Sequence, residues 1–192
     1  MNKKIIKEKI TLTCKKLKAK GLLPGTSGNI SIREKNLVFI TPSQIDKEDL
    51  KISDISEIDI QGRLLNSVKP SSEYLLHIEI YKKRKDVNAI IHTHPPYVIA
   101  YSITKSKINY NLTIEFPLII KKIAFCPFKK PGTTELAKLA ASNIKNSNAL
   151  ILENHGLVCV ASNIEKAKII TEEVENFFRI NFLVSVLKKF KQ

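Results

Sequence analysis

Two short apolar runs, Val87-Asn88-Ala89-Ile90-Ile91 and Ala149-Leu150-Ile151-Leu152, lead to histidine, at once in the first and after Glu153-Asn154 in the second. His92 and His94 follow the first run, and His155 follows the second. Runs of this length and composition read as buried strands. Side chains alternate between the faces of a strand, so His92 and His94, two apart, point to one side. Two strand ends thus offer three imidazole nitrogens, the ligand count of a catalytic zinc site that keeps one position open. A fold that uses them together must carry the two strand ends side by side.

The remaining composition bounds the class of protein. A chain of 192 residues, 43% hydrophobic and 26% charged, suits one α/β domain over residues 1–192 with a sizeable core. It contains no apolar run long enough to span a bilayer, and the basic start Met1-Asn2-Lys3-Lys4 leads into a helix pattern, with no leader-type apolar segment. Cys14, Cys126 and Cys159 are odd in number and far apart, which fits reduced thiols in a cytoplasmic protein. The formal net charge of +14 invites a nucleic-acid reading, but only Arg33, Arg63, Arg84 and Arg179 are arginines, and the lysines are scattered. An anionic small-molecule substrate fits that charge without a nucleic-acid motif or a membrane.

The chain alternates helix and strand patterns. Ile6, Ile10, Cys14 and Leu17 predict a helix over 3–20, stopped at Gly21. Strands are expected at 30–33, 37–40, 87–91, 119–125, 149–152 and 157–160, and a hairpin across 58–65 through Gln61-Gly62-Arg63. Helices are expected at 73–84, capped by Ser71 or Ser72, at 97–103, at 131–144, and from Ser162-x-x-Glu165 to near the end. Residues 105–117 carry no clear pattern. Gly28-Asn29 is a tight turn whose amides can approach an anion, and Ser71 and Ser72 stand at a helix N-terminus, where free N–H groups favour phosphate.

The ordered motifs G-T-S-G-N at 25–29, I-T-P-S at 40–43, P-S-S-E at 70–73, H-T-H-P at 92–95, P-G-T-T-E-L at 131–136 and E-N-H-G-L at 153–157 resemble the class II aldolase/adducin-head family. Within that family they look most like the L-fuculose-1-phosphate aldolases, over nearly the whole chain. The resemblance implies a central, mostly antiparallel β-sheet flanked by helices. It implies one zinc ion per subunit on His92, His94 and His155, with Glu73 a fourth ligand that substrate releases to act as general base. Manganese or cobalt would suit the same donors. It assigns Gly28, Asn29, Ser43, Ser71 and Ser72 to a substrate phosphate. One position departs from the pattern: Gln44 stands where the family often has glycine.

The implied activity is reversible cleavage of a ketose 1-phosphate, L-fuculose 1-phosphate or a related deoxy-ketose 1-phosphate, to dihydroxyacetone phosphate and an aldehyde. The family also implies a homotetramer with active sites between subunits. A tyrosine from the neighbouring subunit, in the region of 110–115, handles the aldehyde hydroxyl; Tyr110 is the candidate and Glu115 the alternative. His77 reads as structural or solvent-facing. Related 4-epimerases carry aspartate where this chain has Glu73, so glutamate favours C–C cleavage. A dehydratase on the same fold and a non-catalytic adducin-like binding module are the other readings.

Overall fold

Apolar side chains at Ile6, Ile10, Cys14 and Leu17 recur about once per turn. In the computed structural model, which describes residues 2–190, all four are buried along helix α1 (Lys3–Ala19). Asn2 caps its start by accepting the Lys4 N–H, and Gly21, at a φ of +72°, redirects the chain after its end. Strands β1 (Asn29–Glu34), β2 (Leu37–Ile40) and β3 (Ser56–Asp59) follow, then helix α2 (Tyr74–Lys83) and strand β4 (Ala89–Thr93). Helix α3 (Pro96–Thr104) has proline in its first turn, where no N–H is needed. The second half runs through β5 (Ile123–Cys126), α4 (Thr134–Ile144), β6 (Ala149–Leu152), β7 (Gly156–Ala161) and α5 (Ile164–Lys189).

The strands form one sheet in the order β3-β2-β1-β4-β7-β6-β5. Neighbours are antiparallel except β5 and β6, which the α4 crossover leaves parallel. Helices α1, α3 and α5 cover one face, over Ile30, Ile91, Leu157 and Cys159. Helices α2 and α4 cover the other, over Ile40, Ile90, Val158 and Val160. Ile90 and Ile91, adjacent in β4, therefore enter different cores, which is why this strand reads as a continuous apolar run. Each such fully buried side chain contributes about 1.5–3 kcal/mol. The expected α/β domain with a mostly antiparallel sheet between helices is the architecture observed.

Several local expectations shift. The strand expected at 87–91 runs from Ala89 to Thr93 and so contains His92, because the Val87 N–H closes a turn on the Arg84 carbonyl. Of the strand expected at 119–125, only the part from Ile123 forms. Phe116–Ile120 is a single wide helical turn, and Lys121, at a φ of +61°, breaks the extended path. The hairpin across 58–65 turns at Gly62, at a φ of +87°, but pairs through an isolated bridge of Ile58 with Leu64. Asn163, not Ser162, caps α5 by accepting the Lys166 N–H. Neither Ser71 nor Ser72 caps α2: Glu73 occupies that position, and the Ser71 hydroxyl accepts its N–H instead.

Candidate metal centre and active site

Strand pairing is what brings the histidines together. β6 runs antiparallel to β7 and β7 to β4, so the turn from Leu152 to Gly156 lies beside the end of β4. His155 occupies that turn, next to Asn154, whose φ of +57° asparagine tolerates. Gly156 is required by crowding: a Cβ there would collide with the Thr93 carbonyl and reach the rings of His94 and His92. Gly28 has the same cause on the β1 side, where a Cβ would stand 2.7 Å from the His92 carbonyl oxygen and against Leu23.

The three imidazoles meet through the same atom. Nε2 of His92 lies 3.2 Å from Nε2 of His94 and 3.3 Å from Nε2 of His155. Glu73, at the start of α2, brings Oε2 to 3.2 Å from His92 Nε2 and Oε1 to 3.6 Å from His155 Nε2. The His92 Nδ1–H donates to the Leu157 carbonyl over 3.0 Å, which leaves its Nε2 as a bare lone pair. Glu73 Oε1 and His155 Nδ1 are buried and make no hydrogen bond. Neutral imidazoles cannot satisfy one another when three lone pairs converge. A cation between them and the carboxylate would take up the three Nε2 lone pairs and Glu73 Oε1, and the donor set fits a divalent ion of borderline softness. Electrostatics agree. Burial, and then the charge of His92, which Glu73 draws upward against its own burial, push His94 down to about 3 and His155 down to about 4, so these two keep the neutral form a ligand needs. Burial opposes ionisation of Glu73, but His92, His155 and the Asn29 amide together hold it well below the usual carboxylate range.

This cluster forms one wall of an open cavity of about 480 Å³, also lined by Thr26, Gly28, Asn29, Ser43, Gln44, Ser71, Ser72 and Pro131. All five residues expected at a phosphate thus line the cavity that holds Glu73, His94 and His155. The Ser43 hydroxyl oxygen accepts the Ser72 N–H over 2.8 Å, leaving its O–H to donate elsewhere. Gln44 has a φ of +62°, a conformation that explains why glycine would suit this position. The side-chain amide of Asn29 is engaged by Glu73 and His77, so what this turn offers an anion comes from its backbone. Tyr110 does not join this cavity: it packs on Phe116 and Phe177 and is 40% exposed, and Glu115 also lies outside the lining. Glu153 turns away as well, accepting the Phe128 N–H and pairing with Lys105.

Two contributors were not expected. Lys47 is fully buried and donates to the Thr26 and Ile45 carbonyls, tying together two loops of the cavity. His77 is fully buried, not solvent-facing, and bonds to both Asn29 and Ser31. Its signal was the polar alternation Asn29-Ile30-Ser31-Ile32-Arg33, which places three polar side chains on one face of an interior strand.

Comparison with known proteins sets this geometry in context. The sequence profile of the Class II Aldolase and Adducin N-terminal domain matches residues 8–182. The L-fuculose phosphate aldolase of Methanococcus maripaludis is 35% identical over 91% of this chain and 95% of its own length. The 5-deoxy-D-ribulose 1-phosphate aldolase of Bacillus thuringiensis is 37% identical over 88% of this chain and 80% of its own. Among solved structures, an L-fuculose 1-phosphate aldolase superposes with a TM-score of 0.88 at 34% identity, covering 95% of this chain and 87% of that one.

Proposed function

The chain belongs to the class II aldolase and adducin N-terminal domain family, and from that premise we propose that it is a zinc-dependent aldolase acting on a ketose 1-phosphate. The substrate is L-fuculose 1-phosphate or a 5-deoxy ketose 1-phosphate, and the products are dihydroxyacetone phosphate and an aldehyde. One observation carries the reading: Glu73, His94 and His155, gathered with the buried His92, line the same cavity as Gly28, Asn29, Ser43, Ser71 and Ser72.

A divalent ion held by His92, His94 and His155 supplies Lewis-acid polarisation of the substrate carbonyl. The chain's own groups do the rest. The Gly28-Asn29 turn and the hydroxyls of Ser43, Ser71 and Ser72 hold the phosphate at the N-terminus of α2, where the dipole favours an anion. That places the reacting carbons between the phosphate loops and Glu73. In cleavage, the hydroxyl proton of the aldehyde half leaves and the C3–C4 bond breaks. The electron pair remains on C3 as an enediolate, and Glu73, which takes up a proton from solvent once substrate is bound, delivers it to C3 to give dihydroxyacetone phosphate and returns to the carboxylate. In synthesis Glu73 removes that proton.

We assign the aldehyde-side proton to Tyr110 of a neighbouring subunit in a homotetramer. Its position outside its own cavity supports that reading, as do the exposed apolar side chains Ile114, Leu118, Phe125 and Phe128. The three buried, unpaired thiols fit a cytoplasmic enzyme, and no helix among the described residues is long and apolar enough to cross a membrane.

The test is an assay of metal-analysed protein with L-fuculose 1-phosphate and 5-deoxyribulose 1-phosphate supplied separately. Chelator-sensitive release of dihydroxyacetone phosphate is expected. An epimerised or dehydrated product would reassign the reaction on the same site, and protein that takes up no metal would point to a binding module.

A further inference from the structure

Helix α2 and strand β1 meet along a row of buried polar side chains. The helix contributes Glu73, His77 and Tyr81, four apart; the strand contributes Asn29, Ser31 and Arg33, two apart. Four helical residues rise about 6 Å and two strand residues about 6.6 Å, so the two periods stay in step and the partners interlock.

The contacts run without a gap. Tyr81 Oη lies 2.8 Å from Ser31 Oγ, Ser31 Oγ 2.7 Å from His77 Nδ1, and His77 Nε2 2.5 Å from Asn29 Oδ1. Asn29 Nδ2 then donates to Glu73 Oε2 over 3.1 Å. Arg33 closes the far end, donating to the Tyr81 carbonyl with its guanidinium over the Tyr81 ring. Ser31, His77 and Tyr81 are fully buried, so no solvent competes for these bonds.

Only one direction of donation is consistent. A carboxylate only accepts, so Asn29 must present its NH2 to Glu73 and its carbonyl to His77. His77 must then carry its proton on Nε2, and its bare Nδ1 accepts from Ser31, which accepts from Tyr81. Reversing any link sets two acceptors or two donors face to face.

We propose that this row, through His77, fixes the Asn29 amide and so holds the Glu73 carboxylate in the geometry for proton transfer, making His77 a positioning residue of the active site. The inference rests on the proposed aldolase reading, in which Glu73 moves the C3 proton. Lost donation from His77 would free the Asn29 amide to rotate its oxygen toward Glu73, and the carboxylate would swing away.

The test is the exchange of the C3 proton of dihydroxyacetone phosphate with deuterium oxide, followed by NMR without any aldehyde. His77→Phe is expected to lower kcat for exchange by about 10- to 100-fold, the usual cost of removing an outer-shell partner, with KM moved by less than about 3-fold because the phosphate loops are untouched. Bound metal is expected to match the wild type. His77→Gln, whose amide can donate to Asn29, is expected to recover most of the rate, which a merely structural role would not produce. Ser31→Ala reaches the same tautomer from the other side and is expected to slow exchange by about 3- to 10-fold, somewhat less than direct loss of the partner; it keeps the test decisive if His77→Phe does not fold. Wild-type rates in His77→Phe and Ser31→Ala, or no recovery in His77→Gln, would overturn the proposal. A wild-type protein that binds metal yet exchanges no proton would instead remove the aldolase reading on which it rests.

Discussion

All four histidines sit within one small region, yet they divide into two kinds. His92, His94 and His155 turn the same atom toward one another, and beside them Glu73 Oε1 and His155 Nδ1 are left without a hydrogen bond. His77 lies one residue pair away, on the other side of Asn29 and Glu73, and has both ring nitrogens bonded. Burial alone does not separate them: His92 is as fully buried as His77, while His94 and His155 are half-buried. The ledger of hydrogen bonds does: the cluster is built around something it lacks, and the row is complete in itself. It follows that deleting a member of the cluster should cost more activity than deleting a member of the row, and that a deletion in the row should cost more stability.

The sharpest way to break that contrast is to delete a member of the cluster. His155→Ala is expected to lose tightly bound metal and with it aldolase activity, by more than the roughly 10- to 100-fold that outer-shell partners cost. Elemental analysis beside the dihydroxyacetone phosphate assay checks this. Retained metal with full activity would mean that His155 is no ligand. Glu73→Gln is the next step down. It keeps the histidines and removes the proton carrier, so metal should remain while turnover falls by about 10²- to 10⁴-fold. Loss of metal in Glu73→Gln would show that the carboxylate mainly anchors the ion.

These two kinds of histidine were not equally legible in the sequence. The clustered histidines announce themselves because His92 and His94 follow one apolar run two apart and His155 follows another at motif spacing. His77 sits between Leu76 and Ile78, both buried, on a helix whose inward face its own period leaves ambiguous. Only the partner strand resolves it, and strand β1 is remote in sequence. The same split holds for the fold. α1, α4 and β6 fall within a few residues of expectation because their apolar periods run uninterrupted between a cap and a stop. The stretch around Ile119 misleads because its apolar residues suit a strand, whereas Pro117 and the left-handed Lys121 decide the backbone. Ser162 and Asn163 are both competent caps, and only geometry shows which one reaches Lys166. Tyr110 stays outside what one chain can show, since its proposed partner lies on another.

Stability separates the two kinds in the opposite order. In metal-free protein His155→Ala should cost less unfolding free energy than any loss from the row, because its Nδ1 is unpaired and its removal strands no buried partner outside the cluster. His77→Leu should cost about 1–3 kcal/mol for each buried partner it strands, Ser31 and Asn29 among them. Urea unfolding of both variants measures the pair. Equal losses would erase the distinction between cluster and row.

The last effect is the most discriminating, because it reads the proton on His77 itself. Burial first, and then the charge of His92, push His77 down to about 3, against the pull of Glu73. In the unfolded chain a histidine titrates near 6.5. Between those values the unfolded state binds a proton that the folded state refuses, so stability falls as the pH drops below about 6.5, by about 1.4 kcal/mol per pH unit for one group. The loss levels off only as the pH passes the folded value. Glutamine binds no such proton. His77→Gln should therefore gain on the wild type by about that slope between pH 6 and pH 4, whatever its deficit at pH 7. The three ligand histidines are common to both proteins and cancel in the difference. Parallel stability curves would mean that His77 is already protonated when folded. A doubly protonated ring cannot accept from Ser31, so the directed row that ends on Glu73 would be broken across that acidic window.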